Sequence, residues 1–222
     1  MIIAIDGPAA SGKSTVAKAV ARRLDVRHLD TGAMYRAVAW LALEEGIALD
    51  DRASLADLAS ANPVEFDYAH GAPVATSVRI AGLDVTSAIR SPEVDAAVSP
   101  VAAVHGVRET LVAQQRTLAD ARDTVVEGRD IGTVVFPDAE VKVFLTASAA
   151  ERARRRQADL VAQGHAVEQA EVRSRLERRD HIDSTRTASP LEAATDAEIL
   201  DTTGMSVDRV VDAIVTRVEA AR

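Results

Sequence analysis

Residues 2–14 read IIAIDGPAASGKS. An apolar run ends at Asp6, a glycine-containing stretch follows, and Lys13-Ser14 leads into STVAKAVARRL, where Val16, Val20 and Leu24 fall on one side of a helix. Residues 7–14 fit G-x-x-x-x-G-K-[ST]. The glycines let the backbone fold tightly, so that successive N–H groups point at phosphate oxygens, and the helix that follows adds its N-terminal dipole. In such a loop Lys13 reaches the β- and γ-phosphates of a nucleoside triphosphate, and the Ser14 hydroxyl takes a place on Mg²⁺. The preceding strand and following helix separate this stretch from a chance glycine-rich turn. It predicts triphosphate binding by Gly7, Pro8, Ala9, Ala10, Ser11, Gly12, Lys13, Ser14 and Thr15.

Working outward, VRHLD (26–30) reads as a second strand and GAMYRAVAWLALEEG (32–46) as a helix ended by Gly46. This βαβα rhythm predicts an α/β fold with a parallel sheet covered by helices. A short helix is predicted over 52–60. The texture changes at Asn62-Pro63, where VEFDY, ATSVRIAG and LDVTS form a small antiparallel insertion near 62–90. Helical spacing returns from about Pro92 to Ala121. TVVEGRD and VKVFLTA are two more core strands, and a long arginine-rich helical region runs 148–181, interrupted at QGHA. EILDTT and SVDRVVDAIVTRVEA are a last strand and helix. The expectation is a single domain over 1–222, carrying the insertion near 62–90 and a charged arm near 150–186.

With 222 residues, 47% of them apolar, the chain can bury a substantial core. Cysteine is absent, which excludes thiolate metal sites and a cysteine nucleophile and fits a reducing compartment. No apolar stretch is long enough to span a membrane, and a strand-like run from Met1 leaves no room for a signal peptide, so a cytoplasmic protein is expected. A net charge of −8 argues against a nucleic-acid partner. Arginine is nevertheless concentrated at 151–186, with nine arginines against seven acidic residues.

A phosphate loop leaves open a switch, a motor or a kinase. A GTPase needs N-K-x-D to read its base, and the one asparagine, Asn62, precedes Pro-Val-Glu. The DTTG at 201–204 lies in the wrong order for a GTPase D-x-x-G. No strand of four apolar residues ends in Asp-Glu, as a mechanical ATPase usually has. A small-molecule kinase remains, and it requires a second anionic pocket and a way to exclude water.

Three stretches can build that pocket. LDTGAMYR (29–36) starts where the second strand ends, the place where open parallel sheets bind ligands. Asp30 or Thr31 caps its helix, and Arg36 follows one turn in. EGRDIG (127–132) also sits at a strand end. There Arg129 offers a fork for phosphate and Asp130 an acceptor for a donor such as an exocyclic amine, unless the two simply pair with each other. RRDHIDSTR (178–186) sets Arg179, Asp183 and Arg186 on one face if helical, a pattern that on its own more often means a solvated salt-bridge ladder. His181 reads as a surface residue.

In IDGPAASGKST, LDTGAMYR, IRSPEV, SPVAAVHGVRE, GRDIGTVVFPDA and RDHIDSTR, taken in order, the chain resembles the bacterial cytidylate kinases of the nucleoside monophosphate kinase family. The resemblance implies a five-stranded parallel sheet flanked by helices, a β-rich acceptor-binding insertion and a helical lid. It implies ATP with Mg²⁺, CMP or dCMP as acceptor, and a monomer without nucleic-acid or membrane partners. Arg36, Arg129 and Arg186 would hold the CMP phosphate, with Lys13, Arg129 and Arg186 catalytic. Thr31, Arg108 and Asp130 would read cytosine, and Ser99, Arg179 and Asp183 would approach the ribose. Lid arginines among 152–156 would close over the transferring group. The alternatives are a kinase for another acceptor, such as UMP, shikimate or dephospho-coenzyme A, and an ATP-binding regulatory module.

Overall fold

The apolar run of residues 2–6 becomes β1 (Ile2–Asp6), the middle strand of the main sheet. Its side chains alternate between the sheet's two faces, as strand geometry requires. Ile3 and Ile5 enter one buried cluster and Ala4 the other. The computed structural model describes residues 1–162, 164, 166–186 and 189–222. After β1 come α1 (Lys13–Leu24), β2 (Arg27–Asp30), α2 (Thr31–Glu44) and α3 (Arg52–Ala61). A small sheet follows, made of β3 (Glu65–Asp67), β4 (Ser77–Ile80) and β5 (Leu83–Asp84). Then come α4 (Pro92–Ala102), α5 (His105–Ala119), β6 (Thr124–Glu127) and β7 (Val141–Thr146). The chain continues through α6 (Ala149–Ala162), α7 (Gln169–Thr185), β8 (Glu198–Asp201) and α8 (Val207–Ala221).

The main sheet has five parallel strands in the order β2-β6-β1-β7-β8. On one face α1 and α8 pack through Val16, Val20, Val210, Ile214 and Val218. On the other, α2, α4 and α5 build the larger core around Met34, Val38, Val98, Val101, Val107 and Leu111. The expected insertion is there as an antiparallel sheet, β3-β4-β5. It is anchored, because Val78, Ile80, Val85 and Ile89 are buried in the same core as α2. A third, small cluster joins Ala9 of the glycine-rich loop to Ala153, Leu160, Val172 and Leu176 of α6 and α7, so this helix pair roofs the loop.

Two local expectations change. The helical stretch from Pro92 to Ala121 is two helices, because Val104 is extended (φ −75°, ψ 120°) where α5 begins. Pro100, which has no N–H to donate, sits in the last turn of α4 before this break. The strand expected over TVVEGRD stops at Glu127, and Ile131–Val135 forms a π-helical turn for which no element was expected. That turn is held from outside: Arg116 donates to the carbonyls of Val134 and Val135, both at 2.9 Å. The break expected at QGHA falls partly on residues 163 and 165, which lie outside the described residues. Helices α6 and α7 stand on either side of it. Among the described residues no helix is long and apolar enough to cross a membrane.

Candidate active site

All the stretches singled out in the sequence converge at the carboxyl ends of β2, β6 and β1. Register makes this so, because Asp30 and Ile5 both lie opposite Glu127. In the phosphate loop, Gly7 has φ +147°, and a Cβ there would stand 2.0 Å from the Leu145 carbonyl oxygen. Only glycine fits both demands. Lys13 is buried and donates from Nζ to the Pro8 carbonyl at 2.6 Å, while burial holds its ammonium well below the usual lysine range. Ser14 donates from Oγ to Glu127 Oε2 at 2.7 Å, and Glu127 Oε1 meets His28 Nε2 at 2.9 Å.

Glu127 was not singled out in the sequence. Its strand lacks the Asp-Glu ending of motor ATPases, yet the sheet order places its carboxylate beside the loop. Its only sequence signal was an acidic residue closing a buried strand. Mg²⁺ takes oxygen ligands, and the Ser14 hydroxyl and Glu127 carboxylate fit it. Among the described residues no group of three or more His, Cys, Asp or Glu side chains is placed to hold a metal alone.

Asp6 is a second acidic residue that sequence reasoning passed over. It closes β1, and its two carboxyl oxygens accept the N–H groups of Ile131 and Gly132, each at 2.8 Å. This grips the chain just after Arg129 and Asp130. Gly128 allows the close approach: a Cβ there would lie 2.7 Å from Ile131 Cγ1 and 2.8 Å from Thr31 Oγ1. Burial pushes the Asp6 carboxyl up to about 6, although the two N–H bonds and nearby Lys13 pull it down. The folded chain therefore binds this proton more tightly than the unfolded chain. The stability it contributes is full below about pH 4 and is lost as pH rises through 6. The unfolding free energy of wild type relative to Asp6→Asn is expected to fall by on the order of 2–3 kcal/mol between those limits. A pH-independent difference in denaturant titrations would refute the assignment.

Arg129 and Asp130 do not pair with each other. Arg129 donates from Nε to Asp183 Oδ2 at 3.0 Å and from Nη1 to the Gly7 carbonyl at 2.9 Å, tying the phosphate loop to α7. Asp130 accepts from Arg108, and the two side chains are only 6% and 4% exposed. Arg186 approaches Asp130 at 3.7 Å and lies just beyond α7, so only Arg179 and Asp183 share the helix. They stand 3.9 Å apart. Burial works to raise the Asp183 carboxyl, but Arg129 and Arg179 outweigh it and hold it below the usual carboxylate range. Arg179, desolvated and repelled by Arg129 and Arg36, is pushed down to about 10.

Asp30, not Thr31, caps α2, accepting from Ala33 N at 2.9 Å. Thr31 Oγ1 donates to the Glu127 carbonyl at 2.7 Å. Arg36 donates to the Ile89 carbonyl at 3.0 Å and to Asp95. Ser99 is buried near the end of α4, whose side α7 meets. Nε of Arg108 and Arg179 and Nη2 of Arg186 are buried without a hydrogen-bond acceptor among the described residues. Buried donors are normally satisfied, so this set fits an incoming anion.

The arginines of α6 divide by partner. Arg152 donates to the Ala9 carbonyl at 3.2 Å and pairs with Asp180. Arg155 reaches the Ser11 carbonyl, Thr202 and Glu151, whereas Arg154 is exposed and pairs with Glu151. Arg156 reaches across to α4, where it donates to Asp95.

Half-buried Trp40, one turn beyond Arg36 on α2, packs against the cluster containing Ile89 and Val94. CMP is expected to change its fluorescence saturably and ATP alone to change it less. A flat CMP titration, with binding established by calorimetry, would disconnect this helix from the acceptor pocket.

A parallel sheet with a phosphate loop at its centre, a helical roof carrying arginines and a second cluster of arginines is the arrangement of the P-loop kinase fold. The fold is shared with a gluconokinase from Sinorhizobium meliloti, at a TM-score of 0.51 and 15% identity over 99% of this chain and 91% of that one. It is shared also with an uncharacterised protein from Eubacterium ventriosum, at a TM-score of 0.54 and 14% identity over 99% and 98% of the two chains. The chain belongs to the cytidylate kinase family, whose model matches residues 3–220. It is 51% identical over 220 residues to a cytidylate kinase from Pelotomaculum thermopropionicum, covering 99% of this chain and 96% of that one. It is 53% identical over 214 residues, 96% of this chain, to a bifunctional pantoate ligase/cytidylate kinase from a Synechococcus species, and it spans only 40% of that relative's length.

Proposed function

We propose that the chain transfers the γ-phosphoryl group of ATP to CMP or dCMP, giving ADP and CDP or dCDP. The observation that carries this reading is the buried Arg108–Asp130 pair beside a cluster of arginines with unsatisfied donors. A dianion beside a base that offers an amine is the ligand such a pocket suits. In this reading Gly7 to Thr15 cradle the ATP phosphates, with Lys13 neutralising charge on the β- and γ-groups. Ser14 and Glu127 would hold Mg²⁺, which when bound offsets phosphate charge. Arg36, Arg129 and Arg186 would receive the acceptor phosphate, whose own oxygen is the nucleophile, so no covalent enzyme intermediate is needed. Thr31, Arg108 and Asp130 would read cytosine, and Ser99, Arg179 and Asp183 would face the sugar.

The insertion near 62–90 would wall the acceptor side and the arm near 150–186 would exclude water from the transfer. A monomer in the cytoplasm is the proposed setting: every group named comes from one chain, and absence of cysteine suits a reducing compartment. The test is coupled ADP release with a panel of acceptors: CMP, dCMP, UMP, AMP, GMP and shikimate. CMP and dCMP are expected to support turnover well above the others. Faster turnover of another acceptor would reassign the substrate, and ATP binding without acceptor-dependent ADP release would favour a regulatory module.

A further inference from the structure

Asp95 belongs to none of these roles, yet it stands among them. It lies in the first turn of α4 and its two carboxyl oxygens take guanidinium groups from distant elements. Oδ1 accepts from Arg36 of α2 and Oδ2 from Arg156 of α6. Its side chain is 23% exposed, so it is partly open to solvent and not sealed in the core. Burial works to raise its carboxyl, but Arg36 and Arg156 outweigh that and hold it below the usual carboxylate range, with Arg179 adding to the same field. It is therefore an anion throughout the neutral range. Two oxygens on one centre, each engaging a guanidinium, is also how a phosphate group is held.

We propose that Asp95 is an internal surrogate for the acceptor's phosphate, holding Arg36 and the lid's Arg156 on one carboxylate until a monophosphate exchanges with it. This rests on Arg36 receiving the acceptor phosphate. A dianion outcompetes a monoanion for both guanidinium groups, and once Arg36 leaves Oδ1 and Arg156 leaves Oδ2, Arg156 is no longer tied to α4 and is available to the transferring group. Occupancy by Asp95 lowers the affinity for any phosphate-bearing acceptor by the fraction of molecules in which Arg36 is taken. It links arrival of that phosphate to release of the roof. An acceptor without phosphate leaves the contact intact.

Calorimetry with CMP and with cytidine on wild type, Asp95→Asn and Arg36→Met tests the exchange. Asp95→Asn is expected to bind CMP roughly 3- to 30-fold more tightly and cytidine unchanged. Equal or weaker CMP binding by folded Asp95→Asn overturns the exchange. Arg36→Met is expected to lose CMP affinity and keep cytidine affinity; if it keeps both, the phosphate assignment of Arg36 itself fails, whatever Asp95 does. Wild-type protein supplies a measurement free of folding effects. Hydrogen exchange across residues 149–162 should be faster with CMP alone than with cytidine alone. Equal or slower exchange with CMP overturns the release of Arg156.

Discussion

Lys13→Met is expected to lower kcat by about 10²–10³ while changing CMP affinity far less, since electrostatic contacts aimed at developing charge are worth about that much. Lys13 is buried, its Nζ is fixed on the Pro8 carbonyl at 2.6 Å, and Pro8 belongs to the loop that would wrap the phosphates. The ammonium is thus aimed before substrate arrives, and little reorganisation is left for the reaction. Methionine matches the volume and removes the charge. Burial disfavours that charge in the folded state, so the variant is expected to unfold no more easily than wild type. Steady-state kinetics with a melting curve decide the matter: near wild-type kcat in a folded Lys13→Met protein would eliminate this lysine from the mechanism.

Asp130→Asn is expected to compress the preference for CMP over UMP. In the proposed reading the carboxylate would accept from the cytosine amine, whereas uracil would present a carbonyl oxygen and leave two acceptors facing each other. Such an unpaired group costs about 1–3 kcal/mol, and more when charged, which corresponds to discrimination on the order of 10–10³ in kcat/KM. An amide can turn to offer a donor or an acceptor, so the loss should fall on CMP while UMP holds or improves. The structure adds a second effect. Asp130 is the partner of buried Arg108, so neutralising it leaves a guanidinium without its counter-charge, at a stability cost of about 3–5 kcal/mol. The ratio of kcat/KM for the two nucleotides at saturating MgATP, measured below the melting transition, separates base reading from stability. An unchanged ratio in a destabilised protein would make Asp130 the counter-ion of Arg108 and nothing more.

The phosphate loop was legible because its chemistry is local. Gly7, Gly12, Lys13 and Ser14 work through one backbone turn, and adjacent residues determine that turn. The alternating elements were legible for the same reason, since burial on two faces of a sheet writes itself into short-range apolar spacing. Boundaries failed where a distant group intervened. The π-helical turn at 131–135 depends on Asp6 at one end and Arg116 at the other, neither of them a neighbour in sequence. The candidate site divides likewise. The resemblance supplied Arg36, Arg108, Arg129, Asp130, Asp183 and Arg186 as a set, and the structure gathers them at one end of the sheet. It did not supply Asp6, Glu127 or Asp95, whose importance comes from what they touch.

By itself the sequence determined a parallel sheet, a phosphate-binding loop and a family. Those follow from contiguous backbone chemistry and from ordered motifs that few other chains contain. Only the tertiary structure decided the pairing. Neighbours Arg129 and Asp130 ignore each other because their side chains leave the loop toward different elements: one meets Asp183, 54 residues away, and the other Arg108, 22 residues away. Which anion an arginine finds depends on where strand ends and helix faces come to rest. Packing of apolar surface sets those positions, and the charges then pair with whatever the packing brings within reach.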